Sequence, residues 1–208
     1  MARAKQPVIW ISDAMVGTAA LKGFHSDRWD NDLKFTADAN TRNVRGEPLT
    51  ADFFPSEVFA DYKDKKEKKQ PDFFMAAGAW TVSAACATVL RQIDLGDGNL
   101  YPVKLFQHDR ATPVEGEYYC LNFGNQKAAV LTDQSPNIDR PYENQEVYQP
   151  PLVMKDNDIA VSAIALDGPD IWIDTKMRRA FFVSDPLAQA LRVAKVSRPF
   201  KLRKCIVL

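Results

Sequence analysis

Apolar residues recur along this chain in two rhythms, and the change between them marks its elements. Continuous apolar runs such as Val8-Ile9-Trp10-Ile11 read as buried strands. Cys86, Val89, Leu90 and Ile93 stand instead at i, i+3, i+4 and i+7, one face of a helix, and Leu187, Ala190, Leu191 and Ala194 repeat that spacing. Ser83 precedes the first helix and Ser184 the second, each placed so that its hydroxyl accepts from an unpaired backbone N–H of the first turn. The first helix is expected to end near Asp94 to Gly98, where glycines and aspartates form a turn. Tyr101 to Phe106 then reads as a strand, with Pro102 near its start where a missing donor is tolerated.

These two helices belong to a longer likeness. Pro71-Asp72-Phe73-Phe74 leads to Trp80-Thr81-Val82-Ser83 and the first helix; Pro169-Asp170-Ile171-Trp172 leads to Phe181-Phe182-Val183-Ser184 and the second. With gaps on both sides of the helix, Val82-Ser83 meets Val183-Ser184, Ala87 meets Ala188, Leu90-Arg91 meets Leu191-Arg192, and Pro102 to Leu105 meets Pro199 to Leu202. The pattern predicts a unit used twice, over residues 71–106 and 169–208: extended segment, serine-capped helix, strand. The other reading is coincidence between two similar supersecondary pieces. Burying Val89, Leu90, Ile93, Leu187 and Leu191 supplies roughly 1.5–3 kcal/mol each, while every ordered helical residue costs roughly 1–2 kcal/mol of backbone entropy. Such helices must lie on the flanking strands. The expectation is an α+β domain over residues 1–208, with a mixed or antiparallel sheet and a few short helices.

Elsewhere the pattern is weaker. Ser26 to Thr50 is polar and reads as loop, docked by Trp29 and Phe35, and Asp52 to Tyr62 reads as a short helix after Pro55. The lysine run from Lys63 to Lys69 lacks arginine, glycine and aromatic residues, so a solvated helix end or loop fits it better than a phosphate-facing patch. It marks the edge of an N-terminal region, residues 1–70. Glu117 to Phe123, Ala128 to Leu131, Val147 to Tyr148 and Ile159 to Ile164 are strand candidates. Between Thr132 and Pro151 the chain is polar and carries four prolines, a long connection of the kind that forms interaction surfaces.

Composition adds exclusions. The 27 basic and 27 acidic residues cancel, which removes the field that draws a chain onto nucleic acid or an anionic membrane; neither is an expected partner. Cys86, Cys120 and Cys205 are widely spaced, as reduced thiols in a cytoplasm are, and no apolar run approaches the ~20 residues that span a bilayer. The basic start from Met1 to Pro7 is followed by too short an apolar run for a signal peptide. Cys205-Ile206-Val207-Leu208 satisfies a prenylation pattern, yet Phe200, Leu202, Ile206 and Leu208 alternate with polar residues as a terminal strand does, and we read it as a strand.

Candidate chemistry is sparse. His25 and His108 are the two imidazoles; His108 follows a strand, and Cys120 lies across a hairpin from it, so a Cys/His pair is one catalytic option. Asp170, Asp174 and Asp185 are a second, as an acidic cluster, although Asp185 already has a role at a helix start. No zinc-ligand spacing occurs, and Gly96-Asp97-Gly98 does not extend to a nucleotide-binding loop; no metal or cofactor is expected. Trp10, Trp80 and Trp172 read as core, with Trp29 the exception in its polar stretch.

At Asp167-Gly168-Pro169-Asp170-Ile171-Trp172-Ile173-Asp174, at Arg178-Arg179-Ala180-Phe181-Phe182-Val183-Ser184-Asp185 and at Arg198-Pro199-Phe200, the sequence resembles the eleventh immunity-protein family of bacterial polymorphic-toxin systems. The likeness covers the last third, reaches weakly back to Trp80 through Leu105, and leaves residues 1–70 outside. It implies a cytoplasmic protein that binds and blocks a cognate secreted toxin, with no catalysis of its own and no residue whose toxin contact carries over. A small enzyme and a structural adaptor are the alternatives.

Overall fold

A computed structural model describes residues 7–208; Met1–Gln6, and with them most of the basic start, lie outside it. Along the chain come β1 (Ile9–Ser12), β2 (Phe24–His25), α1 (Asp27–Asn31), α2 (Leu33–Asn43), β3 (Glu57–Ala60), β4 (Phe73–Ala76), β5 (Ala79–Ser83), α3 (Ala84–Leu90) and β6 (Asn99–Phe106). Then follow β7 (Tyr118–Asn122), β8 (Gln126–Lys127), β9 (Ala160–Val161), β10 (Ile171–Asp174), β11 (Phe181–Ser184), α4 (Asp185–Val193), β12 (Leu202–Lys204) and β13 (Ile206–Val207). The class is α+β, with mixed sheets and a few short helices.

Period-two alternation explains the layers. Phe73, Trp80, Val82, Ile171, Phe181 and Val183 point to one central core, which also takes Cys86, Leu90, Leu187 and Leu191 from α3 and α4. Their strand neighbours face the other way: Phe74 enters a second core with Val58, Leu105 and Cys120, while Trp172 and Phe182 enter a third with Ile9 and Ile11. Two sheets thus sandwich a pair of helices, and strands covered on both faces carry the continuous apolar runs seen in the sequence. Helices of seven and nine residues are marginal in isolation. They are held by packing on one another and on the strands that lead into them.

The six-stranded sheet, β2-β3-β6-β7-β5-β4, closes on itself. Its ends meet where Lys22 N donates to Met75 O at 2.9 Å and Ala77 N to Phe24 O at 3.2 Å, so the segment before β2 pairs with β4 and the second core fills a small barrel. Gly78 at the β4–β5 turn has φ 77°, and a Cβ there would lie 3.0 Å from the Trp29 ring, so glycine serves both the turn and the close approach.

The five-stranded sheet, β12-β1-β11-β10-β8, repeats four stations of that barrel. Phe73 faces Val82 as Ile171 faces Val183. Ser83 Oγ accepts from Cys86 N and donates to Asp72 Oδ1 at 2.6 Å; Ser184 Oγ accepts from Leu187 N and donates to Asp170 Oδ1. Outside β5 lies β7 with Tyr119 opposite Val82, and outside β11 lies β1 with Trp10 opposite Val183. The guanidinium of Arg91 stacks 4.4 Å from the Tyr119 ring and that of Arg192 4.0 Å from the Trp10 ring. The third strand comes from after the helix in one sheet and from the N-terminus in the other.

Several expectations need correction. The matching last strand is displaced: Leu100 faces Leu121 as Leu202 faces Ser12, so Leu100 to Pro102 corresponds to Leu202 to Lys204, and Pro199 instead lies in a 3-10 turn. Ser26 to Thr50 is not loop but contains α1 and α2, capped by Ser26 and Asp32. Residues after Pro55 form β3, not a helix, because Val58, Phe59 and Ala60 are buried from both sides beside β6. Helix α3 stops at Leu90, before the turn that should have ended it. Val147 to Tyr148 forms only a bridge to Met177, Ala128 to Leu131 only one from Val130 to Val161, and Ile159 to Ile164 shortens to β9 before a 3-10 turn. The terminal strand breaks in two at Cys205, whose side chain turns into the third core while Ile206 and Val207 pair with β9.

Candidate functional site

Most residues nominated for chemistry hold the fold together. Cys120 is fully buried in the barrel, its thiol directed to Pro55 O and its pKa pushed up to about 12 by burial. His108 is exposed and contacts Ala60 O through Nδ1, so the nominated Cys/His pair does not form. Asp109 beside it is held down at about 2 by the Thr112 hydroxyl and then by the Thr112 and Ala111 N–H groups. Cys86 and Cys205 are also buried, with thiol pKa values raised by desolvation.

The three aspartates go separate ways. Asp174 is 2% exposed and accepts from Ala129 N at 2.7 Å, Val130 N at 2.8 Å and Lys176 N at 2.9 Å, pinning the chain after β8. Asp170 accepts from Ser184 and from Asp94 N, and Asp185 accepts from Trp10 Nε1 and Gln189. Among the described residues no group of three or more His, Cys, Asp or Glu side chains is arranged to hold a metal. Gly96 is wedged against Asn125 and Pro169, where a Cβ would fall within 2.5 Å of the proline ring; Asn125 bonds to Leu95 O, Ile171 O and Asp97 N, and so locks this turn to both sheets.

Two further charged sites stand out, one of them around His25, already named as one of the two imidazoles. His25 Nδ1 lies 3.0 Å from Asp61, and Arg110, paired with Asp27, stacks on Phe59, a neighbour of His25 in the same cluster. Lys127 is half-buried with its ammonium 3.7 Å from the Trp172 ring centre and 3.0 Å from Pro169 O. Burial pulls its pKa down to about 8, against the opposing influence of Asp170, Asp167 and Asp94.

A groove runs along α2 on the surface. Two adjoining cavities, of about 370 and 280 Å³, share Asn40, Thr41 and Met75. Leu21 and the half-exposed Trp29 line one end. At the other, Arg45, Arg178 and Arg179 surround Met15, Val44 and Trp80. Among the described residues the groove walls carry Lys22 and three arginines but no carboxylate. Arg179 donates to Val16 O, whereas the Arg45 and Arg178 side chains have no hydrogen-bond or ion-pair partner among the described residues. Asn40 Oδ1 and Trp80 Nε1, both buried, also lack a partner there.

The nominated connection between Thr132 and Pro151 adjoins this end. Asp139 and Gln149 exchange two backbone bonds, and Tyr148 O accepts from Arg178 N at 2.8 Å, so the connection is fastened to the turn that carries the arginines. Sequence reasoning missed Asn40 and Thr41, and Arg45 in the turn just after them, because it took α2 for a loop. The signal was there in Asp32 followed by eleven residues without glycine or proline. Trp29 was singled out as the exposed tryptophan, and it does line the groove.

Cys205 lies inside the third core, and no helix among the described residues is long and apolar enough to cross a membrane. No curated protein matches the chain. The model of the immunity protein family (Imm11) matches residues 23–206, which extends the likeness from the last third back through α1 and α2. With nearly all of its length inside that match, the chain belongs to the Imm11 immunity protein family.

Proposed function

We propose that the protein is a cytoplasmic immunity protein that binds one cognate bacterial toxin and blocks it by covering its surface, without a reaction of its own. The observation that carries this reading is the family match over residues 23–206. The side-chain roles agree with it: Cys120, Asp170, Asp174 and Asp185 all have structural partners that account for their placement.

A stable complex buries about 800 Å² on each partner, a small part of this chain's 11217 Å². The groove along α2 is smaller than that, so a partner seated there also covers its margins, including the connection tied to Arg178. Co-expression with the product of the adjacent gene tests the function. Relief of that product's toxicity together with recovery of a stable complex is the expected result; a toxic neighbour that the chain neither relieves nor binds contradicts it.

A further inference from the structure

We infer that the α2 groove is the surface that receives the toxin, and that its occupant is an acidic segment whose carboxylates meet Arg45 and Arg178. The inference rests on the immunity reading and adds the site and the partner's chemistry. Its first support is charge. In a chain with equal numbers of acidic and basic residues, four cations and no carboxylate line this groove among the described residues. Guanidinium groups bind carboxylates through paired N–H donors, which fixes orientation as well as attraction. Two of the three arginines have side chains uncommitted within the described fold.

The second support is the groove floor. A buried amide oxygen and a buried indole N–H without partners are costly in a free protein. Asn40 Oδ1 is suited to a backbone N–H and Trp80 Nε1 to a carbonyl, the two groups that an extended segment presents alternately. Asn40 and Trp80 both line the groove, and Met15 and Met75, unbranched and readily repacked, line it with them. At the far end Leu21 and Trp29 offer apolar area next to the charged part, and tryptophan and arginine are the residue types that dominate interface energies.

The test uses the full chain and, as probe, the protein encoded by the adjacent gene. Arg45→Glu/Arg178→Glu is compared with Arg45→Lys/Arg178→Lys and wild type in the toxicity assay and in affinity measurements at low and high salt. The charge reversal is expected to weaken binding by at least about 100-fold, with the lysine pair intermediate and the wild-type affinity falling as salt rises. Thermal melting reports folding, which should be unchanged because both side chains are exposed and have no side-chain partner among the described residues. Wild-type protection with an equally protective charge-reversed variant overturns the groove assignment and leaves the immunity function standing. Failure of the wild type to protect or bind removes both. Tight binding of inorganic phosphate by the wild type, with partner affinity indifferent to the reversal, identifies a free-anion site and also overturns the inference.

Discussion

Replacing Ser83 or Ser184 with alanine tests whether the two hairpin–helix junctions are physically equivalent. Each hydroxyl accepts from the backbone N–H three residues on, at 3.3 Å to Cys86 N and 3.2 Å to Leu187 N, and each donates to an aspartate that also accepts the serine's own N–H through its carbonyl. Loss of an N-cap side chain costs about 1 kcal/mol. The aspartate loses a charge-assisted bond worth at most about 1.5–3 kcal/mol, much of it recovered because Asp72 and Asp170 are only half-buried and water replaces the donor. Each variant should therefore lose about 1.5–3 kcal/mol, read as a shift in the urea midpoint without a change in slope, or a fall in Tm of roughly 3–10 °C. Thr88→Ala, which removes an exposed bond to Ala84 O, is the control and should stay within about 0.5 kcal/mol. A Ser83 variant indistinguishable from the control beside a strongly destabilised Ser184 variant would refute the equivalence.

Four further outcomes follow from the buried side chains. Asp174→Asn can keep its carbonyl oxygen on Ala129 N and Val130 N, but its N–H₂ then faces Lys176 N, which the carboxylate satisfies, and the change should cost about 1–3 kcal/mol in chemical unfolding; a change below about 0.5 kcal/mol would show that the carboxylate does not pin this chain. Native Cys86, Cys120 and Cys205 should resist alkylation at pH 8 and react once unfolded. Since the folded Cys120 value is raised from its ordinary 9.0 to about 12, its contribution to stability is complete below pH 9 and is lost as pH rises towards 12, so alkaline unfolding checks the sign. Lys127 carries the opposite linkage: lowered from 10.5 to about 8, it favours folding above 10.5 and loses that contribution as pH falls through 8. An NMR titration of its ε-carbon should have a midpoint near 8, and a midpoint at the ordinary lysine value would show that the ammonium is solvated.

What the sequence disclosed was local. Ser83 and Ser184, each followed by an i, i+3, i+4 apolar pattern, located α3 and α4 because cap and face lie within one short segment. The strand Ile9–Ser12 was visible as an apolar run, but its place between β11 and β12 was not, since that pairing spans most of the chain. α2 was missed because Thr36, Ala39 and Asn43 are its buried residues, and a polar face tied by Asn43 to Leu121 O carries no apolar rhythm. The helix expected over Asp52 to Tyr62 had no single buried face: Val58 is in the barrel while Tyr62, four residues on, is largely exposed. The candidate groove shared this fate. Its arginines come from the turn that follows α2 and from the β10–β11 turn far along the chain, and only the fold brings them together.

Blocking by occupancy has a stoichiometric signature that catalysis lacks. Purified chain titrated into a fixed amount of its cognate toxin, with residual toxin activity as readout, should lower that activity in proportion and abolish it near molar equivalence. Loss of activity at far below equivalence, progressing with time, would mean that the chain turns over and would contradict the account.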